Sequence, residues 1–417
     1  MERTQLARLL GAAQISQVND LAYREATQAG GDVVIVEERA PKRWREAFVE
    51  AVASGGTVFL ANPQWSETER AQFKLLTQSE IQNQKSKIAS GWLCIPTGGS
   101  SGQLKLARHD QDTLHAAVRG FARHFSVERV NAVGVLPLHH VGGLMGWLRC
   151  VMTGGVYLDL DWKALEAGGM PVRPERPDGW FLSLVPTQLQ RLLAQPAAVA
   201  WLRGFRAVLV GGGPLWPELA DQAARAGVPL APTFGSTETA AAVAALRPGE
   251  FLAGRRGCGS ALPHARITVQ VGDALLVEGE SLFRGYWPHL REPGSWVTDD
   301  RGRVDESGSL HVLGRNDALI VTGGEKVDPA EVEAVLRATG EFDDVAVVGI
   351  PDSDWGHRVV ACYPAGAKEP DQVRVTAALE QIAAFKRPKR LVALAAWPRS
   401  TAGKIDRSQL VRMAGDR

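Results

Sequence analysis

The sequence holds only four cysteines, Cys94, Cys150, Cys258 and Cys362, scattered along 417 residues with no CxxC pair. That scarcity gives neither a disulfide framework nor a zinc spacing and leaves buried, reduced thiols as the plain reading. An excess of either charge is also missing, since 47 basic residues face 46 acidic ones for a net charge of +1. No general field draws the chain to a nucleic-acid backbone or an anionic membrane, so any phosphate must be recognised by a local pocket. Long apolar runs are lacking too. The most apolar region, Val130 to Leu160, is interrupted by Pro137, His139, His140, Gly142, Gly143 and Arg149. It fails as a membrane span and suits buried strands around a site. The N-terminus, MERTQLARLLGAAQ, is charged and amphipathic, without the apolar stretch and cleavage site of a signal peptide, and the expected location is cytoplasmic. Internal repeats and low-complexity tracts are absent as well.

What is present is the composition of a soluble globular protein, 45% hydrophobic and 22% charged. At this length one core rarely suffices, and two domains are expected. Short apolar runs at 57–61, 92–96, 132–136, 156–160, 180–185 and 206–210 are bounded by Gly, Pro or Asp. They alternate with helix-like stretches such as Asp112–His124 and Thr187–Leu193, which argues for an α/β fold with doubly wound, largely parallel sheet. Ligands of such a sheet sit at the strands' carboxyl ends. After about residue 255, ARITVQVGDALLVEG and SLHVLGR read as an antiparallel β subdomain. From Val327 a helix, two strands, another helix and a basic, Pro-punctuated tail make a small α+β unit of about one hundred residues. The expected division is a large domain over 1–315 and a small, mobile C-terminal domain over 316–417.

Two polar loops carry the chemistry. In IPTGGSSGQLK, Gly98, Gly99 and Gly102 let backbone amides turn toward an anion, Thr97, Ser100 and Ser101 add hydroxyls, and Lys105 adds charge. A polyphosphate fits this loop, but the Gly-Lys-Ser/Thr ending of a nucleoside triphosphatase is missing. The loop follows an apolar strand and leads toward the helix expected from Asp112. In PTFGSTETAAAV, Glu238 is the one carboxylate among the hydroxyls of Ser236, Thr237 and Thr239, which suits a magnesium ion that keeps its waters and bridges ATP phosphates. The competing reading has Ser236 and Thr237 capping a following helix, with Glu238 favouring its dipole.

The ordered stretches TGGSSGQLK, PLHHVGG, GGGPL, FGSTET, WVTDDRGRVD, LGRNDALIVTGGEKVDPAEVE and PRSTAGKIDR resemble the acyl-adenylate-forming superfamily of acyl-CoA synthetases, adenylation domains and luciferases, from about Leu93 to Arg407. Within it, IPTGGSSG and SLVPTQLQRLL look most like the o-succinylbenzoate-CoA ligases of menaquinone and phylloquinone synthesis, particularly cyanobacterial ones. The resemblance implies ATP, magnesium and coenzyme A as cofactor and co-substrates. It puts Thr97 through Lys105 on the β- and γ-phosphates, Gly211, Gly212, Gly213 and Pro214 beside adenine, and Thr233, Phe234, Gly235 and Ser236 against AMP. Thr237 and Glu238 would meet phosphate and metal. Asp300 matches the aspartate that accepts both ribose hydroxyls and Arg315 the arginine on ribose and phosphate; alone, each reads as a solvated ion-pair partner. One departure stands out: Thr298-Asp299-Asp300 replaces the usual Thr-Gly-Asp, so two aspartates compete for the ribose.

By the same resemblance Lys404 is the lysine that a rotating C-terminal domain inserts to offset charge growing on the α-phosphate. The hinge falls at Asp317, and Gly323, Gly324 and Lys326 line the pantetheine channel. On the acyl side, His140 closes the pocket more readily than His139. Ser183, Thr187, Thr233, Gly235 and Ser236 line it, while Arg149 and Arg191 are candidates for a second carboxylate of an aromatic keto-dicarboxylic acid. The alternatives are another aryl- or fatty-acyl-CoA ligase, an adenylation domain loading a carrier protein, and a non-enzymatic adenylate-binding module. Partners other than small molecules are not indicated, and a homodimer stays open.

Overall fold

The computed structural model describes residues 2–15, 33–78, 91–98, 103–173, 175–176, 178–366, 369–399 and 405–415. A first sheet runs β1 (Val33–Val36), β2 (Thr57–Leu60), β3 (Leu93–Gly98) and β4 (Leu104–His109), the first three parallel and β4 antiparallel. A second, seven-stranded sheet uses β5 (Ala132–Gly134), β6 (Tyr157–Asp159), β7 (Phe181–Leu184), β8 (Ala207–Val210), β9 (Leu230–Ser236), β10 (Ala241–Ala245) and β11 (Ser260–Ala261). Its order is β11-β10-β9-β8-β7-β5-β6. Strands β5 to β9 of this sheet are parallel, as are β1 to β3 of the first, and in each sheet one strand, β8 or β2, is buried at all four residues because both faces are covered.

The chain leaves β5 for β6 on one side and then returns to β7 on the other. This is a topological switch point, and crevices open outside the carboxyl ends of strands at such points. The segments that immediately follow β5, β7, β8 and β9 hold His139–His140, Pro186–Thr187, Gly211–Pro214 and Thr237–Thr239. Connectivity alone therefore gathers four of the polar motifs on one edge.

A third, antiparallel sheet contains β12 (Ala265–Val269), β13 (Ala274–Gly279), β14 (Trp296–Val304) and β15 (Leu310–Arg315). A hairpin of β16 (Ile320–Thr322) and β17 (Glu325–Val327) follows, then a sheet of β18 (Ala346–Asp352), β19 (Gly356–Pro364) and β20 (Arg390–Leu394). The C-terminal elements enclose their own apolar clusters, one around Val332, Leu336 and Val347 and another around Val348, Val392 and Leu410. The segment read as a basic tail thus supplies β20 and a helix, Arg407–Gly415. Alternation in RLVAL is too short to stand out among flanking charges.

Two local readings change. Between the glycine-rich loop and the helix Gln111–His124 lies β4, which pairs with β3 through Thr97↔Lys105 and Gly98↔Leu104. The glycine-rich stretch is thus flanked by two antiparallel strands, and the helix is started separately by Asp110, whose carboxylate accepts from Asp112 N and Thr113 N. Likewise the alanine run after Thr239 is β10, so no helix follows for Ser236 and Thr237 to cap. Strand pairing wins there because Gly235 lets the neighbouring strand approach: a Cβ on it would lie 2.0 Å from the Ala241 carbonyl oxygen. No helix among the described residues is long and apolar enough to cross a membrane, and all four cysteines are free thiols.

Candidate active site

The turn Thr237–Thr239 between β9 and β10 is a single 3-10 turn fixed from several sides. Thr239 Oγ1 accepts from Ser236 N at 2.9 Å and donates to the Ala241 carbonyl at 2.6 Å. Ala240 and Ala241 both take positive φ, 51° and 76°, which turns the chain back into the sheet. From β4, His109 Nε2 lies 2.8 Å from the Thr237 carbonyl while Nδ1 meets Thr113 Oγ1 at 3.0 Å. His109 is fully buried and its pKa is pushed down to about 4, by burial first and against the bond to Thr237. The ring is consequently neutral, with Nε2–H donating to the carbonyl and Nδ1 facing the Thr113 hydroxyl, which also reaches the Asp110 carbonyl at 2.9 Å.

A second clamp comes from residues 283–287. Phe283 N donates to the Glu238 carbonyl at 2.8 Å, and Arg284 forks onto the buried Asp110 carboxylate at 2.7 and 3.2 Å. Burial opposes ionisation of Asp110, yet the Arg284 and Thr113 bonds carry its pKa below the usual range. Tyr286 donates its hydroxyl to Glu238 Oε1 at 2.7 Å, and the Lys105 ammonium sits 5.2 Å from the centre of its ring. The hairpin of β3 and β4 is thereby joined to the Glu238 turn through one aromatic side chain.

Glu238 is 7% exposed and has no ion-pair partner among the described residues. A carboxylate can accept about four hydrogen bonds, so one neutral donor leaves it far from satisfied. Ser236 Oγ is buried without a hydrogen-bond partner among the same residues. Groups of three or more His, Cys, Asp or Glu side chains that could cage a metal are absent among them. One carboxylate with nearby hydroxyls fits magnesium held largely by waters and ATP phosphates.

The other expected residues fall as follows. Gly211 and Thr233 touch across β8 and β9, where a Cβ on Gly211 would lie 2.5 Å from Thr233 Oγ1, and Gly213 faces Pro186 at the start of the helix Pro186–Leu193. Gly212 takes φ +75°, and Pro214 follows in the same exposed loop. Phe234 is buried on β9, and Gly235 is exposed at the strand's end. Asp300 stands directly opposite Arg315 in the β14–β15 register. Arg315 also forms an ion pair with Asp299 at 3.2 Å, both groups being well exposed. Asp317 belongs to the turn Asn316–Ala318 that links β15 to β16, and its side chain lies outside the described residues. So do Gly99, Ser100, Ser101, Gly102 and Lys404.

Gly323 and Gly324 form the two-residue turn of the β16–β17 hairpin, with φ of 57° and 84° and Thr322 paired to Glu325. Lys326 is exposed and lines an open cleft of about 570 Å³ with Arg301, Leu313 and Asp328. Beside it Arg301 on β14 pairs with Asp328, the residue that caps the helix Pro329–Ala338. Arg337 of that helix lies over the Trp216 ring at 5.2 Å. These contacts join the C-terminal elements to the rest of the chain.

On the acyl side, His139 is buried, its pKa pushed down to about 3 by burial and then by His140, whose ring centre is 4.4 Å away. His140 occupies the N-cap position of the helix Val141–Thr153 without a side-chain capping bond, while Ser183 on β7 and Thr187 in the helix that follows it are, like His140, half-buried. Arg149 does not belong with them: it is 4% exposed with its guanidinium 4.0 Å over the Phe121 ring, packed between two helices. Arg191 stands apart as well, its side chain 51% exposed and held by Glu166 at 2.7 Å. Sequence reasoning passed over His109, Phe283, Arg284 and Tyr286. None of the four offered a clear signal: His109 closes a strand of mixed composition, and RGYWP has no telling spacing.

The chain matches the family described as AMP-binding enzyme over residues 22–287 and the AMP-binding enzyme C-terminal domain over 331–404. It is 32% identical over 306 residues to a 2-succinylbenzoate–CoA ligase of Geobacillus kaustophilus, covering 69% of this chain and 61% of that protein. It is 33% identical over 343 residues to a probable 2-succinylbenzoate–CoA ligase of Mycobacterium tuberculosis, covering 77% and 84%. Among solved structures, o-succinylbenzoate CoA synthetase of Bacillus subtilis, in complex with the acyl-adenylate intermediate OSB-AMP, superposes with a TM-score of 0.75. That match is 21% identical and covers 98% of this chain and 92% of the other, a likeness of fold.

Proposed function

The chain belongs to the AMP-binding enzyme family, and we propose that it joins coenzyme A to a carboxylic acid through an acyl-adenylate, with o-succinylbenzoate as the acid. The observation that carries the reading is the buried Glu238 carboxylate, without a protein cation among the described residues, clamped beside the Lys105 hairpin at the carboxyl ends of parallel strands. The choice of acid rests on the 2-succinylbenzoate–CoA ligases among its relatives.

In this reading the β3–β4 hairpin, from Thr97 through Lys105, holds the β- and γ-phosphates. Gly211 to Pro214 flank adenine, Thr233 to Ser236 face AMP, and Asp300 with Arg315 holds ribose. Thr237 orients phosphate and Glu238 holds magnesium, which when bound would neutralise the phosphate charge. The acid's carboxylate attacks the α-phosphorus and pyrophosphate leaves. No protein nucleophile is needed, so the chain contributes positioning and charge stabilisation. Lys404 offsets the charge that develops on the α-phosphate oxygens. Residues 316–417 then turn about Asp317 against 1–315, and the turn at Gly323–Gly324 with Lys326 admits pantetheine. The CoA thiolate attacks the acyl carbon and AMP leaves.

His140, Ser183, Thr187 and Gly235 form the acyl pocket, and Arg191 reaches the second carboxylate only by leaving Glu166. The enzyme acts on free small molecules in the cytoplasm, as a monomer or a homodimer. The test is acid-dependent exchange of labelled pyrophosphate into ATP over a panel of aromatic and fatty acids, followed by AMP release with CoA or with a phosphopantetheinylated carrier. Indifference to o-succinylbenzoate while another acid supports exchange overturns the substrate, and no exchange with any acid overturns the reaction.

A further inference from the structure

We infer that Tyr286 is a positioning residue that fixes the Glu238 carboxylate for the metal and couples it to Lys105 of the phosphate hairpin. The inference deepens the function proposed above and rests on its assignment of Glu238 to magnesium.

Tyr286 is itself held by backbone. It bridges Ala107 on β4 in an antiparallel contact, flanked by Arg108 N donating to the Gly285 carbonyl at 2.9 Å and Trp287 N donating to the Leu106 carbonyl at 2.8 Å. The bend that brings it there requires glycine: Gly285 has φ +129°, and a Cβ on it would lie 2.6 Å from the His289 carbonyl oxygen. A half-buried phenol on this fixed edge spends its hydroxyl on Glu238 Oε1 at 2.7 Å. With Oε1 so held, rotation about the terminal torsion breaks that bond, and Oε2 is the oxygen with both lone pairs left for a cation. Groups that hydrogen-bond to a metal-ligating side chain orient it, and their loss typically costs about 10–100-fold in metal affinity or activity.

The ring does a second job. Lys105 Nζ lies 5.2 Å from its centroid, within the range of a cation–π contact. The ammonium is otherwise exposed at the end of a flexible stem. Resting it on a ring that is tied to the Glu238 turn sets lysine and carboxylate at a fixed separation before either meets a phosphate. The two jobs use different parts of the side chain, so substitution can separate them: Tyr286→Phe removes the hydroxyl and keeps the ring, whereas Tyr286→Leu removes both.

The experiment uses the full chain and measures manganese binding in the presence of ATP by electron paramagnetic resonance, alongside pyrophosphate exchange and thermal unfolding. Tyr286→Phe should weaken manganese binding by about tenfold or more while leaving the KM for ATP near that of the unsubstituted enzyme. Tyr286→Leu should weaken manganese binding to the same degree and raise the KM for ATP in addition. Unchanged manganese affinity in Tyr286→Phe, with or without a lowered melting temperature, overturns the inference and leaves the proposed function standing. An unsubstituted enzyme that binds no manganese with ATP takes down the function and the inference together.

Discussion

Acidification from about pH 7 to about pH 5 should loosen the N-terminal cores while sparing the C-terminal one. His109, His124, His139 and His264 are each no more than 7% exposed. Burial, the largest cause at every one, pushes the pKa of His109, His124 and His264 to about 4 and that of His139 to about 3. Their folded values lie below the ordinary 6.5, so the folded chain stays neutral while the unfolded chain takes up protons. The stabilisation is complete above about 6.5 and is lost as pH falls from there toward 4. At about pH 5 the unfolded chain has gained nearly one proton per histidine, which costs the fold about 2 kcal/mol each. That figure depends little on how deep each shift is, since any group held below 5 is still mostly neutral. Four such groups amount to roughly 6–8 kcal/mol, on the scale of a whole domain's stability of about 5–15 kcal/mol. The only histidine beyond Val327 is His357, which is exposed. Urea titrations at both pH values, resolved residue by residue through amide hydrogen exchange, measure the two regions separately. His109→Gln, which keeps a donor for the Thr237 carbonyl but cannot titrate, should lower the proton uptake on unfolding by about one. A urea midpoint that does not move in the N-terminal cores, or a C-terminal core that fails first, would refute the reasoning.

Three further outcomes separate the proposed roles. Lys404→Ala should slow adenylate formation by about 10²–10³-fold yet spare thioester formation from supplied acyl-adenylate, and equal loss in both steps would remove the lysine from its role. Asp300→Ala should raise the KM for ATP about tenfold to hundredfold through loss of two charge-assisted hydrogen bonds to ribose, whereas Asp299→Ala should change it little; the reverse order would transfer the role to Asp299. Gly324 has φ +84° but nothing within 4 Å of an added Cβ, so strain and bulk can be told apart there. Gly324→Asn, tolerated at positive φ, should leave the thioester step nearly intact, and Gly324→Tyr should block it while adenylation continues, as followed by single-turnover quenching. Equal behaviour of the two variants would take the turn out of the channel.

Much of the frame was legible because parallel strands buried on both faces, such as TVFL and AVLV, are almost wholly apolar and therefore stand out. The same topology explains why motifs far apart in sequence meet: the loops after β5, β7, β8 and β9 emerge on one edge. What escaped notice obeys weaker patterns. Leu104–His109 carries lysine and histidine on one face and Arg108, bonded to the Gly91 and Pro288 carbonyls, on the other, and a strand of that composition does not announce itself. Tyr286 is set by a tertiary bridge to Ala107, which no local periodicity encodes. Arg149 misled for the opposite reason, since a cation in an apolar run suggests a ligand, and only packing shows that it rests on Phe121.

β4 acts as a ruler. Lys105, Ala107 and His109 share one face, each two residues from the next, so successive marks are about 6.6–6.8 Å apart. Its zero is set where Thr97 meets Lys105 and its far end where His109 meets the Thr237 carbonyl. Slipping the strand by one residue would turn all three marks to the wrong side. Changes in loop length between β3 and β4 are therefore tolerable only when they leave that gauge in register.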